Sequence, residues 1–543
     1  MEHLPARHDL KEKLIWLLSV AVSLLVILEL FASLNDKQIY VYFNSDTLYL
    51  PSIFRDLFID HSGLGGWHLN GAPNFFPDMA FYFLVNTLFP DFRVAMLAYS
   101  VLQYLGIMLL VRWLFRTVAP AISESELALA NLVMLVIFLV TFYPGDFTFT
   151  FYLLSISYHL GAFIMALLAL IFTFRYLGPG NRSSLPLLFL ITITGVVNDK
   201  LFIAMYVLPL FSFLLFLYAP SLRKKLLLLT GNAVVATVVG TLIYNGIKHS
   251  GYVHIISLSW KFMNFDNIPS SFHTMTGQHL TYLRSFDFRS LTVILSILSF
   301  LITLVFTFRY LRNFFRQRSL PEEDLLPALY LTFSLVFWVV VLATPVINGS
   351  YVGYAILRYN IYAIYLSLFN YGMLFHLWKK QRGWHFSPRP EKAVLITLFV
   401  FALLPGVRPL FSGGLKKITR HYPAIAKEMD ELAAKEDLHY GLATYWHAKY
   451  ITMFSSRGLR IYTVFEDLKP WYHVTNEHWY HPGGKGRYGN PAFTFVMMDG
   501  MDTLSVKEKL GPPLRTLPFR GSSIALFPPF CFDDQKKPVF LEQ

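Results

Sequence analysis

Two carboxylates in one short stretch carry the most chemistry in this chain: Asp46, within Asn44-Ser45-Asp46, and Asp78, closing Pro73-Asn74-Phe75-Phe76-Pro77-Asp78. Both lie in residues 35–91, a polar and aromatic segment that also holds Asp56, Asp60, Trp67 and His68. A carboxylate here can draw a proton from an attacking hydroxyl, or hold a cation against a phosphate. Either acid can equally serve as a helix N-cap. Pro73 and Pro77 stiffen the backbone around the aromatic pair. With Asn44, Asn74, Trp67 and His68 nearby, the stretch has the amides, rings and carboxylates that grip a sugar.

A second set of residues could meet an anion. Lys200 follows Asp199 and Arg358 precedes Tyr359, each pair at the end of an apolar run. Ionisable groups at membrane depth are costly and are usually paired or functional. A guanidinium can grip a phosphate with two parallel hydrogen bonds, and positive charge stabilises a departing phosphate. The same residues could instead meet lipid head groups or tie to an internal acid. Further on, HYGLATYWHAK, with Trp446, and PWYHVTNEHWYHP bring rings that could stack on a sugar or fill a small core. The spacing of His473, His478 and His481 matches no closed zinc pattern, and the single Cys531 excludes a cysteine cluster or an intrachain disulfide. Gly63–Gly66 lacks the Lys-Ser/Thr of a phosphate-binding loop.

The elements that must position these groups are membrane helices. The chain of 543 residues is 55% hydrophobic and only 15% charged, against about 25% charge in soluble proteins. About eleven runs approach the ~20 apolar residues that a hydrocarbon layer demands: 14–34, 94–115, 124–142, 152–174, 184–197, 201–219, 226–245, 290–310, 325–345, 355–377 and 391–408. The segment 79–90 is apolar but too short to cross, as expected of a re-entrant or an interfacial helix. The net charge of +12 gathers in alternate joints, around Arg112, Arg116, Arg175, Arg223, Arg309 and Lys379, which the positive-inside rule places in the cytoplasm. That distribution explains the charge without a nucleic-acid partner. The joints 35–93 and 246–289 and the tail 409–543 then fall outside. In the tail the opening stretch 413–437, GGLKKITRHYPAIAKEMDELAAKED, reads as a helix, and the strand-like pieces RIYTVF and AFTFVMM point to a small extracytoplasmic α+β domain.

The N-in first span, the long first outer loop with Asp46 early in it, the multispan core (1–408) and the outward tail (409–543) together resemble the polytopic glycosyltransferases of the GT-C fold. Protein O-mannosyltransferases and lipid A aminoarabinose transferases are members of that group. The resemblance implies a polytopic α-helical protein of a bacterial inner membrane, surrounded by membrane lipids, that moves a sugar from a polyprenyl-phosphate donor to a glycan, lipid or protein acceptor. It implies Asp46 as catalytic base, Asp78 as a second acid of the site, and Arg358 or Lys200 at the donor phosphate. Asn44, Trp67, His68, Asn74, Tyr359 and Trp446 would contact substrate, and a divalent cation, Mg2+ or Mn2+, could assist at Asp46. A membrane transporter and a noncatalytic component of polysaccharide export are the competing readings. No two-half repeat of the transporter type is visible.

Overall fold

The computed structural model describes residues 5–178, 183–256, 263–382, 388–406, 408–481 and 491–541. Among them, seven helices are long and apolar enough to cross a membrane: Lys13–Ser33, Phe92–Val118, Glu124–Phe142, Leu160–Leu177, Leu222–His249, Phe288–Gln317 and Glu322–Ile347. The chain is a multi-pass membrane protein, but the expectation of about eleven spans is corrected to seven. The surplus has physical causes. Ser184–Asn198 has 15 residues, about 22 Å of helix against the ~30 Å needed. Residues 203–216 break into a π turn, a three-residue α piece and a 3-10 turn around Pro209. Leu357–Arg382 is long but carries Arg358, Asn360, Asn370, His376, Lys379 and Lys380. Pro388–Leu403 has only 16 residues. The run 152–174 is also not one helix: Thr148–Leu154 ends, five residues turn, and Leu160–Leu177 begins.

The basic joints meet at one end of the helix bundle. Glu124, 2% exposed, accepts from Arg112 at 2.5 Å and Arg116 at 2.9 Å. Glu126, equally buried, pairs with His376 at 3.0 Å and Lys379 at 3.5 Å. Lys380 reaches Asp324 at 2.9 Å, and Lys225 caps the carbonyls of Leu177 and Gly178. Ser123 and Glu126 form a reciprocal capping box that starts the third of these helices at this end.

The opposite end is built from the first loop, the second long loop and the tail. Within the first loop, Asp36–Tyr42 and Tyr49–Phe54 are short helices, the second running on into a π turn, Arg55–Ile59. Helix Ala80–Leu88 is too short to span and leaves Phe81, Leu84 and Leu88 exposed, as an interfacial helix would. The second loop contributes helix Ile268–Arg284. Two parallel two-residue strands, β1 (His68–Leu69) and β2 (His254–Ile255), join the two loops, pairing His68 with His254.

The tail forms a six-stranded sheet: β3 (Tyr440–Ala443), β4 (Arg460–Thr463), β5 (Phe493–Met497), β6 (Arg515–Phe519), β7 (Ser522–Phe532) and β8 (Pro538–Phe540). Its order is β4-β3-β5-β7-β6, with β8 also on β7. The first three strands are parallel, so β3, helix Tyr445–Phe454 and β4 make a βαβ crossover. Every residue of β4 is buried, as both faces of a covered parallel sheet require. Gly441 on β3 lies under the Phe495 ring, where a Cβ would collide.

The side on which the tail lies is fixed by contacts and owes nothing to counting spans. Ser45 Oγ donates to the Tyr445 carbonyl at 2.7 Å, Arg460 pairs with Asp60 at 3.2 Å, and Arg93 donates to the His421 carbonyl at 2.8 Å. The tail therefore rests on the first loop, away from the basic joints.

Candidate active site at the seam between loop and tail

Asn44 shapes the first element of the site. Its Oδ1 accepts from the Asp46 and Thr47 backbone amides at 2.9 and 3.0 Å, an Asx turn that leaves the Asp46 side chain free of capping duty. The helix that follows has Leu48 at its N-cap and no side-chain cap. The half-buried Asp46 carboxylate instead takes two phenols: Tyr445 donates a short hydrogen bond to Oδ1, and Tyr158 donates to Oδ2 at 3.1 Å. Asn44 Nδ2 also approaches the Tyr158 hydroxyl, at 3.4 Å. Tyr445 opens the helix that leaves the carboxyl end of β3. There the chain passes to β4 on one side while β5 lies on the other, the kind of switch point where open parallel sheets place ligand sites.

Tyr158 arrives on the break between helices Thr148–Leu154 and Leu160–Leu177. Ser157 and His159 flank it in left-handed conformations, φ 71° and 56°, a strain that concentrates at functional positions. The break turns His159 so that its Nδ1 lies 2.7 Å from Asp199 Oδ2. The His159 ring is tilted against Tyr359, with centroids 4.8 Å apart. Arg358 Nη2 donates to the Tyr359 hydroxyl at 3.2 Å. The Arg358 Nε is buried without a hydrogen-bond partner, and its charge acts on Tyr158 and Tyr445, the two phenols on Asp46. Asp78, 1% exposed, accepts from Tyr99 at 3.0 Å, while its Oδ2 has no partner. Burial pushes the Asp78 carboxyl up to about 7, Tyr99 opposes this, and the nearby Asp199 charge adds to it. Gly161 is required here, since a Cβ would strike the Asp78 carboxylate.

A second layer lies behind Asp46. Lys449, 4% exposed, donates to the Val474 carbonyl at 2.8 Å. Burial pushes its amine down to about 7, against the pull of Asp46. The Lys449 side chain lines a cavity of about 20 Å3, room for one water, together with Asp56, Arg55, Arg460 and Thr475. Asp56 Oδ2 accepts from Trp67 Nε1 at 3.0 Å, Trp479 Nε1 at 3.1 Å and Asn476 Nδ2 at 3.2 Å. Burial nonetheless pushes Asp56 up to about 7, with Asn476 and Trp479 opposing.

The structure thus gathers Asn44, Asp46, Arg358 and Tyr359 around one seam, and links them through His159 and Asp199 to Asp78. The other sequence candidates fall elsewhere. Trp67 is fully enclosed against Trp479 and Asp56, so its ring offers no face to a sugar. Asn74 is buried in a left-handed turn, donating to the Ala72 carbonyl at 2.7 Å. Lys200 is exposed and sits over the Tyr244 ring at 4.2 Å. Trp446, 49% exposed, lies edge-on to Tyr445 and is the ring best placed to meet a ligand at the seam. His68 belongs to a half-buried cluster with His254 and Glu477 that is compatible with a divalent cation. Asp46 is not part of that cluster, and tyrosine hydroxyls engage both its oxygens.

Sequence reasoning missed Tyr158, His159 and Tyr445 as partners of the acids. One signal for the first two was present: Ser155-Ile156-Ser157-Tyr158-His159 is a polar interruption in an otherwise apolar run. No protein-family model matches this chain, and no curated protein matches it.

Proposed function

We propose that the protein is a glycosyltransferase of a bacterial inner membrane, moving a sugar from a polyprenyl-phosphate donor to a hydroxyl of an envelope glycan, lipid or protein. The observation that carries this reading is the half-buried Asp46 carboxylate, held by two phenols that feel the charge of Arg358, whose Nε lacks a hydrogen-bond partner. With the basic joints in the cytoplasm, this seam and the tail face outward, where lipid-linked sugars are consumed.

In the reaction, Asp46 takes the proton of the acceptor hydroxyl. The acceptor oxygen bonds to the anomeric carbon as the bond from that carbon to the phosphate oxygen breaks. The electron pair leaves with the lipid phosphate, whose charge Arg358 meets with its unpartnered Nε–H, with Lys200 as a further positive group. Direct displacement inverts the anomeric centre. Tyr158 and Tyr445 orient Asp46, and the exposed Trp446 ring offers a stacking face for the sugar. In this reading residues 1–408 are the transferase core and 409–543 an outer domain that completes the site through Tyr445.

The test is transfer of labelled sugar from synthetic polyprenyl-phosphate donors by the purified protein in detergent. Asp46→Ala and Arg358→Ala variants are assayed alongside. Loss of turnover by about 100-fold or more in folded Asp46→Ala, with weaker donor binding in Arg358→Ala, is the expected result. Undiminished transfer by Asp46→Ala, or no donor binding across the common sugars, would overturn the proposal and favour transport or a noncatalytic role in export.

A further inference from the structure

We infer that His68, His254 and Glu477 form a binding site for a borderline transition-metal ion of the zinc class, one that clamps three distant segments of the chain together. His68 comes from the first loop, His254 from the second, and Glu477 from the tail. His68 Nε2 lies 2.9 Å from Glu477 Oε2, and His254 Nε2 lies 3.4 Å from Glu477 Oε1. All the ligand atoms fall within 4.8 Å of one another. Around a tetrahedral ion with ligands at 2.0–2.1 Å, neighbouring ligand atoms stand about 3.3 Å apart. The two His–Glu477 separations already bracket that spacing.

The frame behind them is rigid. β1 and β2 place the two histidines side by side in register, with rings stacked 4.4 Å apart. The His254 amide donates to the Trp67 carbonyl at 2.9 Å, and the His68 amide to the Thr475 carbonyl at 2.8 Å. The Glu477 amide donates to the Gly66 carbonyl at 2.9 Å. Gly66, at φ +77°, permits the close approach, since a Cβ there would sit 2.5 Å from His478. All three segments are thus pinned by main-chain bonds next to the side chains that would share the ion.

The donor set identifies the ion. Two neutral imidazoles and one carboxylate suit Zn2+, Co2+ or Ni2+, whereas Mg2+ and Mn2+ favour oxygen ligands. Three protein ligands leave a further coordination position for water. The role of the clamp follows from where it sits. The two-residue strands are too short to hold the loops together alone, and the chain, with its single cysteine, cannot use a disulfide.

The inference is independent of glycosyl transfer, and its test needs no activity. Tag-free protein in detergent, stripped with a chelator, is titrated with ZnCl2 alone and with CoCl2, reading stoichiometry calorimetrically and the visible bands of bound Co2+. One ion per chain is expected, with Mg2+ neither binding nor competing. His254→Ala removes the most exposed ligand, 40% exposed, and should weaken binding at least tenfold. Glu477→Gln keeps the shape and a hydrogen-bond acceptor for His68, so it guards against a folding failure, and it should weaken binding comparably. His447→Ala, at a separate histidine–carboxylate pair with Asp499, should bind as the native protein does. Binding unchanged in both His254→Ala and Glu477→Gln, or no stoichiometric binding at all, would overturn the assignment.

Discussion

Replacing Asp56 by asparagine should stabilise the protein at alkaline pH and leave it little changed in acid. Asp56 is 1% exposed, and its Oδ2 is surrounded by three neutral donors, two indoles and an amide. Burial raises its carboxyl from 3.8 to about 7. Between those values the folded protein keeps a proton that the unfolded chain releases. The contribution to stability is therefore complete below pH 3.8 and is lost as pH rises through 7. At 1.36 kcal/mol per unit the full swing is about 4 kcal/mol. The Asp56→Asn variant keeps a carbonyl oxygen for the indoles and has no charge to bury, so its stability should not follow this slope. Thermal unfolding in detergent is read by the tryptophan emission of the whole chain, to which Trp67 and Trp479, both bonded to Asp56, contribute. From pH 4.5 to 8.5 the melting temperature of the variant should gain several degrees on that of the native protein. A constant offset across that range would refute the reasoning, because it would mean that the three donors keep Asp56 ionised throughout.

Lys449 predicts a slope of opposite sign in a higher window. Its amine is pushed down from 10.5 to about 7, so between those values the unfolded chain holds a proton that the folded protein does not, and native stability rises with pH. Lys449→Met should abolish that rise, read by the same melting curves between pH 7 and 10. Arg460→Leu should loosen the tail, because Asp60, with a fully buried side chain, would keep Arg55 at 3.5 Å but lose its other guanidinium. The expected cost is about 3–5 kcal/mol, seen as faster limited proteolysis after residue 409 while the membrane helices stay protected.

Local chemistry was legible in the sequence where it rested on a residue's own neighbours. Asp46 stood out beside Asn44, and the structure places both at the seam. The strand-like pieces RIYTVF and AFTFVMM contain β4 and β5, whereas the helix expected over 413–437 is only Ala424–Glu436, with a separate single turn at Lys416–Thr419 before it. What could not be read was anything requiring the tail to return to the first loop. Tyr445 and Asp46 are 399 positions apart, and Arg460 and Asp60 400; no local pattern couples them. Asp56 and Asp60 could be seen in the loop but not placed, because each divides its contacts between a local partner, Trp67 or Arg55, and groups of the tail. Tyr158 and His159 were absorbed into a predicted span, since a five-residue interruption barely lowers the apolar average over twenty. The excess of spans had the same origin: hydropathy reads Ser184–Asn198 and residues 203–216 as apolar without sensing that the first is short and the second broken. Strands of two residues, such as β1 and β2, fall below the length at which alternation exists.

The span of chain between Asp46 and Tyr445 also has a meaning in time. At about 5–20 residues per second, the ribosome delivers Tyr445 some 20–80 s after Asp46. Throughout that interval the first loop is outside the ribosome with its acids hydrated, and the seam has only one wall. The site comes into being when the last quarter of the polypeptide arrives and covers it. A truncated or stalled chain would thus insert its helices yet leave Asp46 without its Tyr445 partner. The order of synthesis itself makes the seam the last part of this fold to close.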